Sequence, residues 1–233
     1  REGYVAAVAA LESRVYTDSD RKDLATQYVN LCTIEYQLES KGALTRCRDA
    51  IKRLEAVQNS NKELEGMLGA ANLTAGAAAY KLDNSKDAEK HLKAAVTLLE
   101  KVGDVERASD AYLRLGRLQY RLNNEAASQS FERSIELSRN QPALAQTTTQ
   151  ARVQYAQFLM DREKWELAQA QLAPALMAAE AAKEFGTAAW VYSAKAQVEL
   201  KLGNRDAAIA ALKSGMAAAK SAGDKDMVKS LKD

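Results

Sequence analysis

The chain has 233 residues, with 33 Lys and Arg against 31 Asp and Glu, and a net charge of +2. Nothing in that balance pulls it broadly toward nucleic acid or an acidic membrane, and no apolar run approaches the roughly 18–20 residues of a membrane helix. Its hydrophobic 47% is heavy in Ala and Leu, with only two prolines, which is the make-up of a mostly helical protein.

Residues 2–17, "EGYVAAVAALESRVYT", read as an unpaired leading helix. No signal peptide is visible, and the chain opens on Arg1 rather than Met, as a processed form or a piece of a longer chain would. From there the sequence repeats. "YVNLCTIEYQL" (28–38), "NLTAGAAAYKL" (72–82), "YLRLGRLQYRL" (112–122), "RVQYAQFLMDR" (152–162) and "YSAKAQVELKL" (192–202) align with a small fifth residue: Cys32, Gly76, Gly116, Ala156 and Ala196. Successive spacings in that column are 44, 40, 40 and 40. A second small column follows at Cys47, Ala88, Ala127, Ala168 and Ala208, each with an apolar residue four places on: Ile51, Leu92, Phe131, Leu172 and Leu212.

The pattern predicts five helix hairpins of about 40 residues in an all-α solenoid. The units are 21–60, 61–103, 104–141, 142–186 and 187–223, after an N-terminal helix or partial repeat (1–20) and before a truncated or capping helix (224–233). Gly103-Asp104, Gly186-Thr187 and Gly223-Asp224 each read as a helix-stopping Gly followed by an N-cap. Ser60 with Glu63 has the form of a capping box. "LDNS" (82–85), "LNN" (122–124) and "LGN" (202–204) mark turns within hairpins. A Gly inside a helix costs about 1 kcal/mol against Ala, so Gly76 and Gly116 are read as sites of close helix approach. Facing small columns bring two antiparallel helices together, and each hairpin then buries its remaining apolar face on the next.

These residues resemble the tetratricopeptide repeat. Tyr112, Leu115, Gly116, Tyr120, Ala127 and Phe131 match its pattern in the third repeat, and Ala156, Trp165, Ala168, Leu172 and Ala175 match it in the fourth. The likeness covers about residues 21–222. It departs in length, since the usual unit is about 34 residues, and six more add about 9 Å of helix per repeat. It is similar to the long-repeat branch found in bacterial regulators, kinesin light chains and polarity adaptors. The resemblance implies a right-handed superhelix with ligands along a concave groove of first helices. By register that groove is lined by Thr33, Tyr36 and Gln37; Ala77, Tyr80 and Lys81; Arg117, Tyr120 and Arg121; Gln157, Met160 and Asp161; Gln197, Leu200 and Lys201. Within it Tyr36, Tyr80, Tyr120, Met160 and Leu200 form a stripe that either packs between hairpins or meets a ligand.

The expected partner-binding residues are Tyr36, Tyr80, Lys81, Arg117, Tyr120, Arg121, Gln157, Gln197 and Lys201. They suit a protein or peptide segment with acidic groups and an apolar anchor. The family's Lys/Asn/Asn clamp for chaperone tails is missing. No phosphate loop, HExxH or metal-spaced Cys/His cluster occurs, so no enzyme, metal or cofactor is expected. The single histidine, His91, reads as a surface or boundary residue. Cys32 and Cys47 read as two buried reduced thiols or, alternatively, as a disulfide clamp implying an oxidising compartment. The expected function is a non-catalytic interaction scaffold of the cytoplasm. Alternatives are the sensor or effector region of a larger regulator, or an exported assembly factor of the envelope or pilus if the cysteines pair.

Overall fold

The computed structural model describes residues 2–12, 17–57 and 61–231. It divides into two units, residues 1–124 and 125–233. Among the described residues of unit 1 are six helices, α1 (Glu2–Glu12), α2 (Asp18–Gln37), α3 (Ala43–Glu55), α4 (Lys62–Lys81), α5 (Ser85–Val102) and α6 (Val105–Arg121). Unit 2 holds α7 (Ala127–Ser138), a 3₁₀ turn (Pro142–Leu144), α8 (Ala145–Met160), α9 (Trp165–Ala181), α10 (Phe185–Lys201), α11 (Arg205–Ala222) and α12 (Lys225–Ser230). Sequence neighbours pack as hairpins, α2 with α3 and α4 with α5 in unit 1, α8 with α9 and α10 with α11 in unit 2. First helices also pack on first helices, α2 on α4, α4 on α6 and α8 on α10, which forms an inner row in each unit.

The small columns are buried: Cys32, Cys47, Ala88, Ala127, Ala156 and Ala168 are fully enclosed. A Cβ placed on Gly76 would lie 2.7 Å from Leu92 Cγ, and one on Gly69 would lie 2.8 Å from Leu99. Two glycines seven residues apart thus seat α5 against α4 at a distance that no side chain permits. The apolar column follows, with Ile51, Leu92, Phe131 and Leu172 buried. Leu212 is half-buried against the cluster of Ala189, Ala219 and Leu231.

The hairpin turns repeat as strictly as the columns. Seven residues after each small-column position the backbone enters the left-handed region, at Glu39, Asp83, Asn123, Glu163 and Gly203. The next N–H then reaches back to close the first helix: Ser40 to Glu35, Asn84 to Ala79, Asn124 to Gln119, Lys164 to Leu159 and Asn204 to Glu199 carbonyls, all at 2.8–2.9 Å. This is the Schellman closure, achieved with one glycine in five.

Between hairpins the same device appears at Gly103 and Gly223, whose following Asp104 and Asp224 cap α6 and α12 as expected. Gly186 does not belong to it. The left-handed residue there is Lys183, Glu184 is the N-cap, and Gly186 lies inside α10. The 40-residue period carries Gly223 back to Lys183, so register rather than glycine marks the turn.

Three further expectations need correction or placement. Ser60 lies outside the described residues, and Asn61 caps α4 by accepting from the Leu64 N–H at 3.0 Å. His91 is buried at 5% exposure, with Nδ1 2.8 Å from Asn72 Oδ1. Burial, then the charge of Lys90, lowers its pKa. Cys32 and Cys47 are not free thiols; they are joined by a disulfide across the first hairpin, with Cα atoms 4.8 Å apart. Facing small columns put two cysteines within bonding reach.

The tyrosines that anchored the alignment have a shared role. Tyr28, Tyr112 and Tyr192 each donate a hydroxyl hydrogen bond to a carboxylate on the preceding helix, Glu12, Glu100 and Glu180, at 2.5–2.8 Å. At α1, Glu12 also accepts from Arg53 at 2.8 Å, and Val8 joins Leu24, Tyr28 and Ala50 in a buried cluster.

Candidate functional site

The inner row of unit 1 is α2, α4 and α6, and the predicted stripe lies along it. Tyr36 and Tyr80 are half-buried, and each receives a cation from the next repeat. Lys81 Nζ lies 4.9 Å from the Tyr36 ring centre and 2.8 Å from Glu39. The Arg121 guanidinium lies 3.9 Å from the Tyr80 ring centre and 3.0 Å from Asp83. Glu39 and Asp83 are the left-handed turn residues, three places after each tyrosine. A ring and a carboxylate thus form a clasp that holds the following hairpin's cation. This explains why acids stand where the turn alone would favour glycine.

Below the clasps Tyr36, Tyr80, Ala77, Lys81, Leu92, Arg114 and Arg117 enclose a cavity of about 200 Å³. The structure therefore brings together Tyr36, Tyr80, Lys81 and Arg117 of the predicted set. A second hollow of about 290 Å³ shares Tyr36 and Lys81 and continues past Leu82 and Leu44. Further along the same row, Val29, Thr33, Leu73, Thr74 and Arg107 line another of about 310 Å³. All three hollows lie against the first-helix row of unit 1.

Arg114 is the residue that sequence reading missed. Its Nε donates to Asp110 at 2.9 Å and its Nη1 to the Tyr36 hydroxyl at 3.3 Å. Burial alone would lower its pKa, but Asp110 and Tyr36 outweigh burial and hold it above the ordinary arginine value. Arg117 has the opposite balance. Burial, then the charge of Arg114, pulls its pKa down. Two guanidiniums on one face of α6 thus stand together at the cavity wall, with Asp110 paired to Arg114. The signal was present in the spacing of Asp110, Arg114, Arg117 and Arg121, which recur every three or four residues.

Tyr120 is half-buried on α6, and Arg121 is exposed and engaged in its clasp. In unit 2 the remaining predicted residues have different surroundings. Gln157 is half-buried and bonds Asp161 at 2.8 Å, while Met160 is buried. Gln197 and Lys201 are exposed, the Lys201 ammonium 5.6 Å from the Trp165 ring centre. Leu200 stands 54% exposed. Among the described residues no group of His, Cys, Asp and Glu has the arrangement to hold a metal ion, and no helix is long and apolar enough to cross a membrane.

No family model matches the sequence, and no curated protein does. Solved structures do. BtubC (BKLC) from P. vanneervenii superimposes with a TM-score of 0.75 at 13% identity, over 95% of this chain and 90% of that one. YrrB, a TPR protein with an unusual peptide-binding site, superimposes at 0.60 and 18% identity, over 98% and 97%. The chain has the tetratricopeptide-repeat fold. A TPR sensor occurs in a further neighbour, a signal transduction ATPase with numerous domains from Pyrococcus horikoshii. It matches at 0.66 and 17% identity, over 92% of this chain and 32% of that one. The repeat length near 40 is carried by helices of up to 20 residues.

Proposed function

We propose that this TPR chain is a non-catalytic interaction scaffold whose unit 1 groove takes a peptide segment of a partner protein. The observation that carries the reading is the convergence of Tyr36, Tyr80, Arg114 and Arg117 on one cavity. Two rings offer an apolar seat, and two half-buried guanidiniums beside them offer donors for an acid. Charge-assisted hydrogen bonds from a planar guanidinium suit a carboxylate of the segment, and an aromatic or long aliphatic side chain beside it fills the space between the rings. Lys81, Tyr120 and Arg121 flank this centre, and Lys81 and Arg121 act chiefly as clasps. Gln157, Gln197 and Lys201 stand on the first helices of unit 2 and offer polar contacts there. YrrB, which shares the fold, is a TPR protein with a peptide-binding site, and this supports a peptide as the occupant.

The disulfide favours an oxidising compartment, so the exported assembly-factor reading gains over the cytoplasmic one. The sensor or effector reading is compatible with the same groove and differs in what the chain is attached to.

Peptides selected from a random phage-displayed library against the whole chain test the site. The expected enrichment is an acidic residue next to an aromatic or long apolar one, with binding at least tenfold weaker to Arg117→Glu and unchanged helical circular dichroism. Selected peptides that bind Arg117→Glu as tightly as the parent would reject the groove.

A further inference from the structure

Unit 2 carries a hollow that the peptide groove does not use. It lies where α7 gives way to α8 and is walled on its far side by α9. Arg139, Asn140, Gln141, Pro142, Thr148 and Arg152 line it, and Ala145, Pro174 and Ala178 complete an apolar wall, with a volume of about 360 Å³. Both prolines of the chain are in it.

Its electrostatics are unbalanced. The lining has two arginines and no carboxylate. Arg139 is the exposed residue that ends α7, and Arg152 is half-buried on α8. Arg152 donates to Gln171 at 2.9 Å, a neutral partner, and among the described residues neither arginine makes an ion pair. Burial, and after it the charge of Arg139, lowers the Arg152 pKa, as expected for two like charges sharing one hollow. The cationic pair occurs elsewhere in this chain with an acid beside it. Lys81, Arg121 and Arg114 each have one, whereas the lining here has none.

The floor is firmly built. Thr148 Oγ1 donates within 2.8 Å of Ser138 Oγ, which itself donates to the Ser134 carbonyl at 2.7 Å, so α7 and α8 are bound together beside the hollow. Thr149 is buried and bonds the Ala145 carbonyl at 2.9 Å. Pro142 fixes the backbone that bends between the helices.

We infer that this hollow is a binding site for a small organic anion, its phosphate or carboxylate held between Arg139 and Arg152 and its apolar body against Pro142, Ala145, Pro174 and Ala178. The volume falls in the range of small-molecule sites. Guanidinium forks match both kinds of oxyanion.

Nuclear magnetic resonance titration of the whole chain with phenyl phosphate and, separately, with benzoate tests this. Saturable shifts are expected for the amides of residues 139–141, 143–149 and 175–178 with at least one of the two probes, and the tighter probe identifies the head group. Phenol should give none, and inorganic phosphate should bind at least fivefold more weakly than phenyl phosphate. Arg139→Ala and Arg152→Gln should each weaken binding at least fivefold. Arg139 is exposed, so its variant keeps the fold, and a matching thermal melt verifies that. Arg117→Glu, in unit 1, should leave the titration unchanged. Absence of saturable shifts with both probes up to about 20 mM, where a solute of this size binding with only about 0.3 kcal/mol per non-hydrogen atom would still be seen, overturns the inference. So does equal binding of phenol, equal binding of inorganic phosphate, or affinity unaltered by Arg139→Ala.

Discussion

The inner rows of the two units share one register and differ in chemistry. At the positions where unit 1 has Tyr36, Tyr80 and Arg117, unit 2 has Met160, Leu200, Gln157 and Gln197. Unit 1 adds Arg114 from the same face of α6, and its rings and guanidiniums enclose a cavity. In unit 2 Met160 is taken into the core and Leu200 stands in solvent. The scaffold therefore sets where side chains face, while the residue type decides whether a position packs, clasps or recognises. Unit 1 also carries the disulfide, in the hairpin next to that cavity. We read unit 1 as the recognition half of the molecule, and four experiments press on that contrast.

The largest effect should come from the bridge. Replacing both cysteines by serine should cost about 3 kcal/mol, the loop-entropy value for a closed loop of this length. In hydrogen exchange the amides of α2 and α3 should become faster while those of α10 and α11 hold. Equal acceleration in both would show that the units open together.

Next is charge reversal. Arg117→Glu with Arg121→Glu should weaken a groove-binding peptide about 30-fold, roughly 2 kcal/mol, with helicity intact. Gln157→Glu with Gln197→Glu should change it by less than about threefold, the scale of a rim contact. If calorimetry finds the second pair as costly as the first, recognition is not concentrated in unit 1.

Glycines give a smaller test with opposite signs. Gly76→Ala forces a Cβ onto Leu92; overpacking of about 1–3 kcal/mol against a helix gain of about 1 leaves a net loss near 1 kcal/mol. Gly186→Ala in unit 2 meets open space within 4 Å and should stabilise by up to about 1 kcal/mol. Urea unfolding of the two variants should move in opposite directions.

The smallest effect concerns His91. Its folded pKa lies below the ordinary 6.5 because burial disfavours the cation. The unfolded chain therefore binds the proton more readily. Stability should be full above pH 6.5, fall as the pH drops below that, and level off beneath the folded pKa. Melting temperatures at pH 7.5 and 5.0 should differ less in His91→Gln than in the parent, and an identical difference would remove His91 as the cause.

Much of this was legible in the sequence. The paired small columns announced the hairpins because steric approach leaves only Gly, Ala and Cys, and spacing alone fixed the period. Glycine as a stop signal served at Gly103 and Gly223 and misled at Gly186, where Lys183 takes the left-handed turn. Burial of His91 escaped notice because its partner Asn72 lies 19 residues away on another helix. Tyr36, Tyr80 and Tyr120 stand on first helices at one register, whereas Arg114 precedes the small-column Gly116 and so lies outside the positions that register marks. The clasps could not be seen locally. Lys81 with Glu39 and Arg121 with Asp83 join residues 42 and 38 apart, and a sequence window of one helix holds only one partner of each pair.

The bridge between Cys32 and Cys47 has a mechanical consequence. It spans 15 residues, which fully stretched would reach about 50 Å at 3.3–3.6 Å each. A molecule drawn out by its two ends would keep that segment folded back on itself, and its extended length would fall short by nearly that amount. Adding a reductant to the stretched chain should release the hidden length in one step.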